Sequence, residues 1–191
     1  RRLNHRAAEL LSKPFFVTVG TNAGAAKAHF EGLREAKPDI VGFALFDNFG
    51  SVPRDFPRGL AHHQWKRREI ECYFATKSAL LEFAKAQGRA VGGDLFGPLY
   101  TGDFEKLLDD IAASFRRIKR MSPWADEAKI TDDFLDTVFA EFYQSIGLPM
   151  LTRKSAYHVL ADHVTPEEID GEVIEVLDAI VQTADRARPV S

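Results

Sequence analysis

The chain has 191 residues, a formal net charge of −3, 45% hydrophobic and 28% charged residues. Those values belong to an ordinary soluble globular protein, long enough for one domain or one domain with a helical appendage. They exclude a bulk basic surface for nucleic acid, although a local patch suffices for DNA. The single cysteine, Cys72, excludes an intrachain disulfide framework and a multi-cysteine zinc site, and fits a reducing, cytoplasmic compartment.

No apolar run approaches the ~20 residues of a membrane span, and no signal peptide is visible. The chain opens Arg1-Arg2-Leu3 without a methionine, which reads as a fragment of a longer protein. Residues 5–13 have the spacing of a helix tail. Phe15 to Val19 is aromatic and β-branched, as in a strand. Gly20 to Gly24 is a loop, and Ala25 to Ala36 has an apolar stripe of helical period. Pro38 to Asp47 is a short apolar run ending at a carboxylate, the pattern of a buried strand in a parallel sheet. Strand, helix and strand make a β–α–β unit with a crossover of the right length. Gly59 to Trp65 reads as a third, shorter strand, and Arg68 to Gln87 as helix in two pieces.

Gly88, Gly92, Gly93, Gly97 and Pro98 then predict a loose connector. Asp103 to Arg120 and Thr131 to Ile146 carry apolar stripes that belong to a core. Thr165, Pro166 and Glu168 form a capping box with proline at N1, predicting a last helix that buries Ile169, Val173, Val176, Leu177 and Ile180. The expected division is an α/β part over 1–87, a connector over 88–102 and a helical part over 103–191.

In open α/β sheets, ligands bind beyond the carboxyl ends of the strands. Asp47 is at such an end, followed by the loop Asn48 to Pro53. Capping of that loop or of a helix is the plainer role for an aspartate there. The Gly20–Gly24 loop opens a helix and offers N–H groups to an anion, but it has neither a Walker nor a G-x-G-x-x-G pattern and reads better as a tight turn. Lys66, Arg67 and Arg68 are three consecutive bases able to meet phosphates, or a solvated helix start. Arg153 and Lys154 belong to a second basic run, in which Lys154 could neutralise charge developing on a phosphodiester or simply be exposed. The neighbours His62 and His63 point to opposite faces of a strand and cannot share one metal. The cation class still supported is a hard one, Mg²⁺ or Mn²⁺, held by carboxylate oxygens.

Phe43-Ala44-Leu45-Phe46-Asp47-Asn48, Trp65-Lys66-Arg67-Arg68-Glu69-Ile70-Glu71-Cys72-Tyr73-Phe74 and Leu148-Pro149 with Arg153-Lys154-Ser155-Ala156-Tyr157-His158 together resemble the C-terminal nuclease half of OLD-family ATP-dependent endonucleases, which carries a TOPRIM domain. The resemblance implies a partial TOPRIM-like parallel sheet with flanking helices, followed by an all-helical region. It implies metal binding by Asp47, an additional carboxylate in Glu71, a cleavage-site lysine in Lys154, and DNA contacts from Lys66, Arg67, Arg68 and Arg153. Mg²⁺ or Mn²⁺, DNA and an upstream ATPase module are the implied cofactor and partners.

The sequence departs from the family pattern in three ways. The first TOPRIM strand with its E-G glutamate is not present, the second aspartate of D-x-D is replaced in Asp47-Asn48-Phe49, and Cys72 stands where asparagine is usual. With fewer oxygen ligands, this chain by itself is expected to bind metal weakly and to be a poor nuclease or none. Two alternatives follow: a non-catalytic TOPRIM-like module that docks on an ATPase or dimerises through its helices, and a haloacid-dehalogenase-like phosphatase. The second needs a later strand ending in an aspartate pair, and its candidates, Asp109-Asp110 and Asp132-Asp133, lie in helical patterns.

Overall fold

The structure is a computed structural model that describes residues 3–12, 15–20, 22–51, 55–94 and 96–187. It is mixed α/β, mostly helical, with a small parallel sheet of two strands. The chain divides into two compact units, Arg1–Lys66 with Asp170–Ser191, and Arg67–Ile169. This differs from the expected division, because the last helix returns to the first unit and the break between the two falls directly after Lys66.

In the first unit, β1 (Gly42–Phe46) pairs in parallel with β2 (Leu60–Gln64), Gly42 opposite Leu60 and Phe46 opposite Gln64. Residues 47–59 connect them, long enough for the crossover a parallel pair requires. The short helix α1 (Ala7–Leu10) packs on α6 (Gly171–Ala184), tied by His5 to Asp178 at 3.0 Å and Arg6 to Asp185 at 2.9 Å. Helix α2 (Ala23–Ala36) buries Ala23 and Ala26 with Phe46 of β1. Its start is capped by Asn22, whose Oδ1 accepts from Ala25 N at 3.1 Å, so the cap serves the helix itself. Thr21 of that loop lies outside the described residues.

Two strand expectations are corrected. Phe15 to Val19 is not a strand: Phe15 is 76% and Phe16 74% exposed, and among the described residues no backbone partner pairs with this segment. Aromatic and β-branched composition makes a strand only where a neighbour supplies the ladder. The β1 strand is half-buried rather than buried, with Leu45 40% exposed, since two strands cannot cover both of its faces.

In the second unit a 3₁₀ turn (Ile70–Tyr73) leads to α3 (Lys77–Gly92) and α4 (Phe96–Lys119), which pack on each other. The expected connector over 88–102 is therefore mostly helix. Gly93, at φ +79°, ends α3. At Gly97 a Cβ would fall 3.0 Å from Arg89 Cγ and 3.3 Å from Lys85 O, so this glycine serves close approach of α4 to α3 rather than flexibility. A π turn (Thr131–Leu135) runs into α5 (Asp136–Ser145), and a long 3₁₀ segment (Lys154–His163) follows. The apolar stripes of α3, α4 and α5 meet in one core, joined by Tyr157 and Leu160.

The capping box at Thr165 and Glu168 is present, but it starts only the 3₁₀ turn Pro166–Glu168. The chain is extended at Ile169, and α6 starts anew with Asp170 as N-cap, its Oδ1 accepting from Glu172 N at 2.9 Å. A second N-cap, Asp170, five residues after Thr165, divides what the sequence presents as one helix. Among the described residues no helix is long and apolar enough to cross a membrane.

Candidate functional site

The two strands end at the same level, and the residues beyond them are tied together. Trp65 N donates to Phe46 O at 2.9 Å, continuing the ladder one residue past the sheet. Gln64 Nε2 donates to Gly50 O at 2.6 Å and Asn48 Nδ2 to Lys66 O at 2.7 Å. The exposed residue Asp47 therefore begins a loop whose backbone is fixed by the end of β2. Val52 and Pro53 of the expected loop lie outside the described residues.

Beneath this edge is a carboxylate that the sequence analysis did not single out. Glu172, in the first turn of α6, is only 4% exposed. Its Oε1 lies 2.8 Å from His63 Nε2 and accepts from Lys66 N at 3.0 Å. The peptide groups of Lys66 are thus held on both sides, the N–H by Glu172 and the C=O by Asn48. A buried carboxylate is tolerated only when hydrogen-bonded in this way. Spacing contained a signal for it: Glu172 is four residues before Val176, another buried residue of α6.

His62 and His63 do face opposite sides of β2. His62 stacks on Phe56 at 4.0 Å, and its pKa is lowered by burial first and then by the charges of His63 and Lys27. His63 meets Trp65 edge to face at 5.7 Å.

Of the remaining candidates, Lys66 belongs to the first unit, where it is exposed and 3.8 Å from Glu175. Glu71, Arg67, Arg68, Arg153 and Lys154 belong to the second. Glu71 is half-buried in the 3₁₀ turn. Arg67 is occupied in that turn: its guanidinium lies over Tyr73 at 5.0 Å, donates to Cys72 O at 2.7 Å and pairs with Asp126 at 3.3 Å. Arg68 is exposed, and its N–H donates to Asp126 O at 2.6 Å. Cys72 is half-buried, its Sγ 3.5 Å from Ala128 O, and burial pushes the thiol up to about 11. It is not a reactive thiolate.

Arg153 and Lys154 are exposed at the start of the long 3₁₀ segment. Lys154 Nζ pairs with Asp132 Oδ1, while Lys129 takes the other oxygen at 2.7 Å. Hydrogen bonds from Lys129 and then Lys154 hold Asp132 down at about 2. The same bond to Asp132 raises Lys154. Nearby, Tyr157 donates to Asp136, and burial pushes its phenol up. Glu69 Oε2 accepts from both Thr131 N at 2.9 Å and Thr131 Oγ1 at 2.7 Å, closing the start of the π turn. Asp109 and Asp110 lie within α4 and Asp132 and Asp133 in the π turn, so neither pair ends a strand.

Among the described residues, no three His, Cys, Asp or Glu side chains converge as a metal site. No family model, curated protein or solved structure matches this chain.

Proposed function

We propose that this chain is the DNA-directed, TOPRIM-like portion of a cytoplasmic OLD-like ATP-dependent endonuclease, which supplies part of a nuclease site and does not complete a metal site by itself. One observation carries the reading: Asp47 follows the carboxyl end of β1 in a parallel pair, and Asn48, Gln64 and Lys66 fix the loop it begins. That is where open α/β sheets hold their ligands. Asp47 offers one oxygen-donor group of the kind Mg²⁺ and Mn²⁺ take, and on this reading further carboxylates come from an upstream segment. Lys154 would stabilise negative charge on a phosphodiester, in competition with Asp132.

Plasmid nicking with Mn²⁺ tests this, on the chain as it stands and on a version extended upstream. The extended form is expected to nick and this chain to do so weakly or not at all. Asp47→Ala in the extended form should abolish nicking while leaving the fold intact; undiminished nicking would remove Asp47 from the mechanism.

A second reading, a non-catalytic docking module, is favoured by the exposed Phe15, Phe16 and Val17. Folded proteins of both lengths that fail to nick would support it over the nuclease.

A further inference from the structure

The last turn of α4 and the residue after it carry Arg116, Arg117, Lys119 and Arg120, four cations within five positions of a chain whose net charge is −3. One of them is neutralised, since Lys119 Nζ lies 2.8 Å from Asp133 Oδ2. The other three are exposed, and no carboxylate pairs with them among the described residues. Basic residues at a helix C-terminus complement the macrodipole, but that dipole amounts to about half an elementary charge. Three unpaired guanidinium groups exceed what the helix end can use.

Arg120 carries a further cost. Its φ is +59°, and its N–H closes the helix on Arg116 O at 3.0 Å. Glycine occupies such a position without the Cβ penalty. An arginine there points to a use for the side chain other than ending the helix. Arg116 and Arg120 line a shallow open concavity with Met121 and Ser122.

The composition of the patch selects its occupant. The apolar side of α4 is spent in the core by Phe104, Leu108, Ala112 and Phe115. Only Ile118, 70% exposed, and Met121 remain at the basic end, too little apolar surface to embed in a lipid interface. Guanidinium forks match phosphate oxygens bidentately. We propose that Arg116, Arg117 and Arg120 form a binding surface for the phosphate backbone of DNA, positioning it without reading its sequence. The choice of DNA rests on the functional reading above, but binding here is separable from cleavage.

The test is fluorescence anisotropy of a labelled DNA duplex from 50 to 200 mM salt without divalent cations. The wild-type log affinity should fall linearly with log salt. Arg116→Gln/Arg117→Gln/Arg120→Gln should reduce the slope by about 2 to 3 and weaken binding at 50 mM on the order of tenfold or more. Arg34→Gln/Arg58→Gln/Lys106→Gln, which removes the same charge elsewhere, should keep the slope. The corresponding three Arg→Lys changes, which keep the charge, should keep it too. Absent wild-type binding, an unchanged slope in the glutamine variant, or equal loss in either comparison variant overturns the proposal. Nicking by the extended form with an unchanged slope overturns this surface alone, whereas DNA binding with no nicking by either length overturns the nuclease alone.

Discussion

The helical unit and the sheet-bearing unit are stabilised by different means. In the helical unit, buried residues from Ala75 to Leu160 form one continuous apolar cluster with interlocked rings. Phe139 stacks on Tyr157 at 4.9 Å and meets Phe83 edge to face at 5.3 Å. Among the described residues, the main cluster of the sheet-bearing unit is Ala23, Ala26 and Phe46, surrounded by half-buried Val19, Ala44, Phe49 and Phe56. A sheet of two strands is marginal by itself. Here it depends on α2, on α6 and on polar ties at its carboxyl end. The unit that carries the candidate Asp47 is thus the one with the thinner core, as is common where loops and edges serve binding.

Truncating one ring in each unit tests that contrast most strongly. Phe139→Ala is expected to cost about 4 kcal/mol, because the rigid rings around it leave a cavity. Phe46→Ala should cost about 3 kcal/mol, since half-exposed neighbours can relax into the space. Each unit holds one tryptophan, Trp65 in the first and Trp124 in the second. Denaturant unfolding followed in Trp65→Phe and Trp124→Phe backgrounds therefore reports on the units separately. A Phe46→Ala loss exceeding that of Phe139→Ala would break the comparison.

If polar ties replace core in the sheet-bearing unit, Glu172 should be expensive to remove. Glu172→Ala leaves Lys66 N–H and the His63 ring without their acceptor, at a cost of about 2–3 kcal/mol. Glu172→Gln keeps an acceptor oxygen and should recover roughly half of that. Amide exchange at Lys66 is the direct readout: it should accelerate in the alanine variant and much less in the glutamine variant. Equal exchange in wild type and Glu172→Ala would mean that Glu172 does not hold the loop behind Asp47.

The same contrast explains what the sequence disclosed. The apolar stripes Phe104–Phe115 and Phe134–Phe142 have helical period, and both faces are buried as expected. The strand before Asp47 was legible from an apolar run bounded by turn residues, and the shorter strand expected over Gly59 to Trp65 is found as Leu60–Gln64. Phe15–Val19 misled because strand composition says nothing about whether a ladder partner is present. Gly97 misled because a glycine that permits helix contact and one that loosens a linker look alike in sequence. The box at Thr165 is real, but Asp170 competes with it and restarts the helix. Glu172 was hidden because its partners, His63 and Lys66, are more than a hundred residues away in the chain. The pairing of Lys154 with Asp132 was hidden likewise, because only the fold brings together two charges 22 residues apart.

The smallest effect concerns that pairing, on the surface of the helical unit. Lys129 and Lys154 hold the Asp132 carboxyl at about 2, below its ordinary value of 3.8. A carboxylate whose pKa is lowered in the folded state stabilises that state above its unfolded pKa, and the contribution is lost as pH falls toward the folded pKa. The window therefore runs from about pH 4 down to about pH 2, and added salt should narrow it because the pair is exposed. A carbon-13 NMR titration of Asp132 should give a midpoint near 2. Lys129→Met should raise that midpoint more than Lys154→Met, since the Lys129 bond is the larger cause. A midpoint at the ordinary value would mean that Asp132 does not hold the Lys154 ammonium in solution.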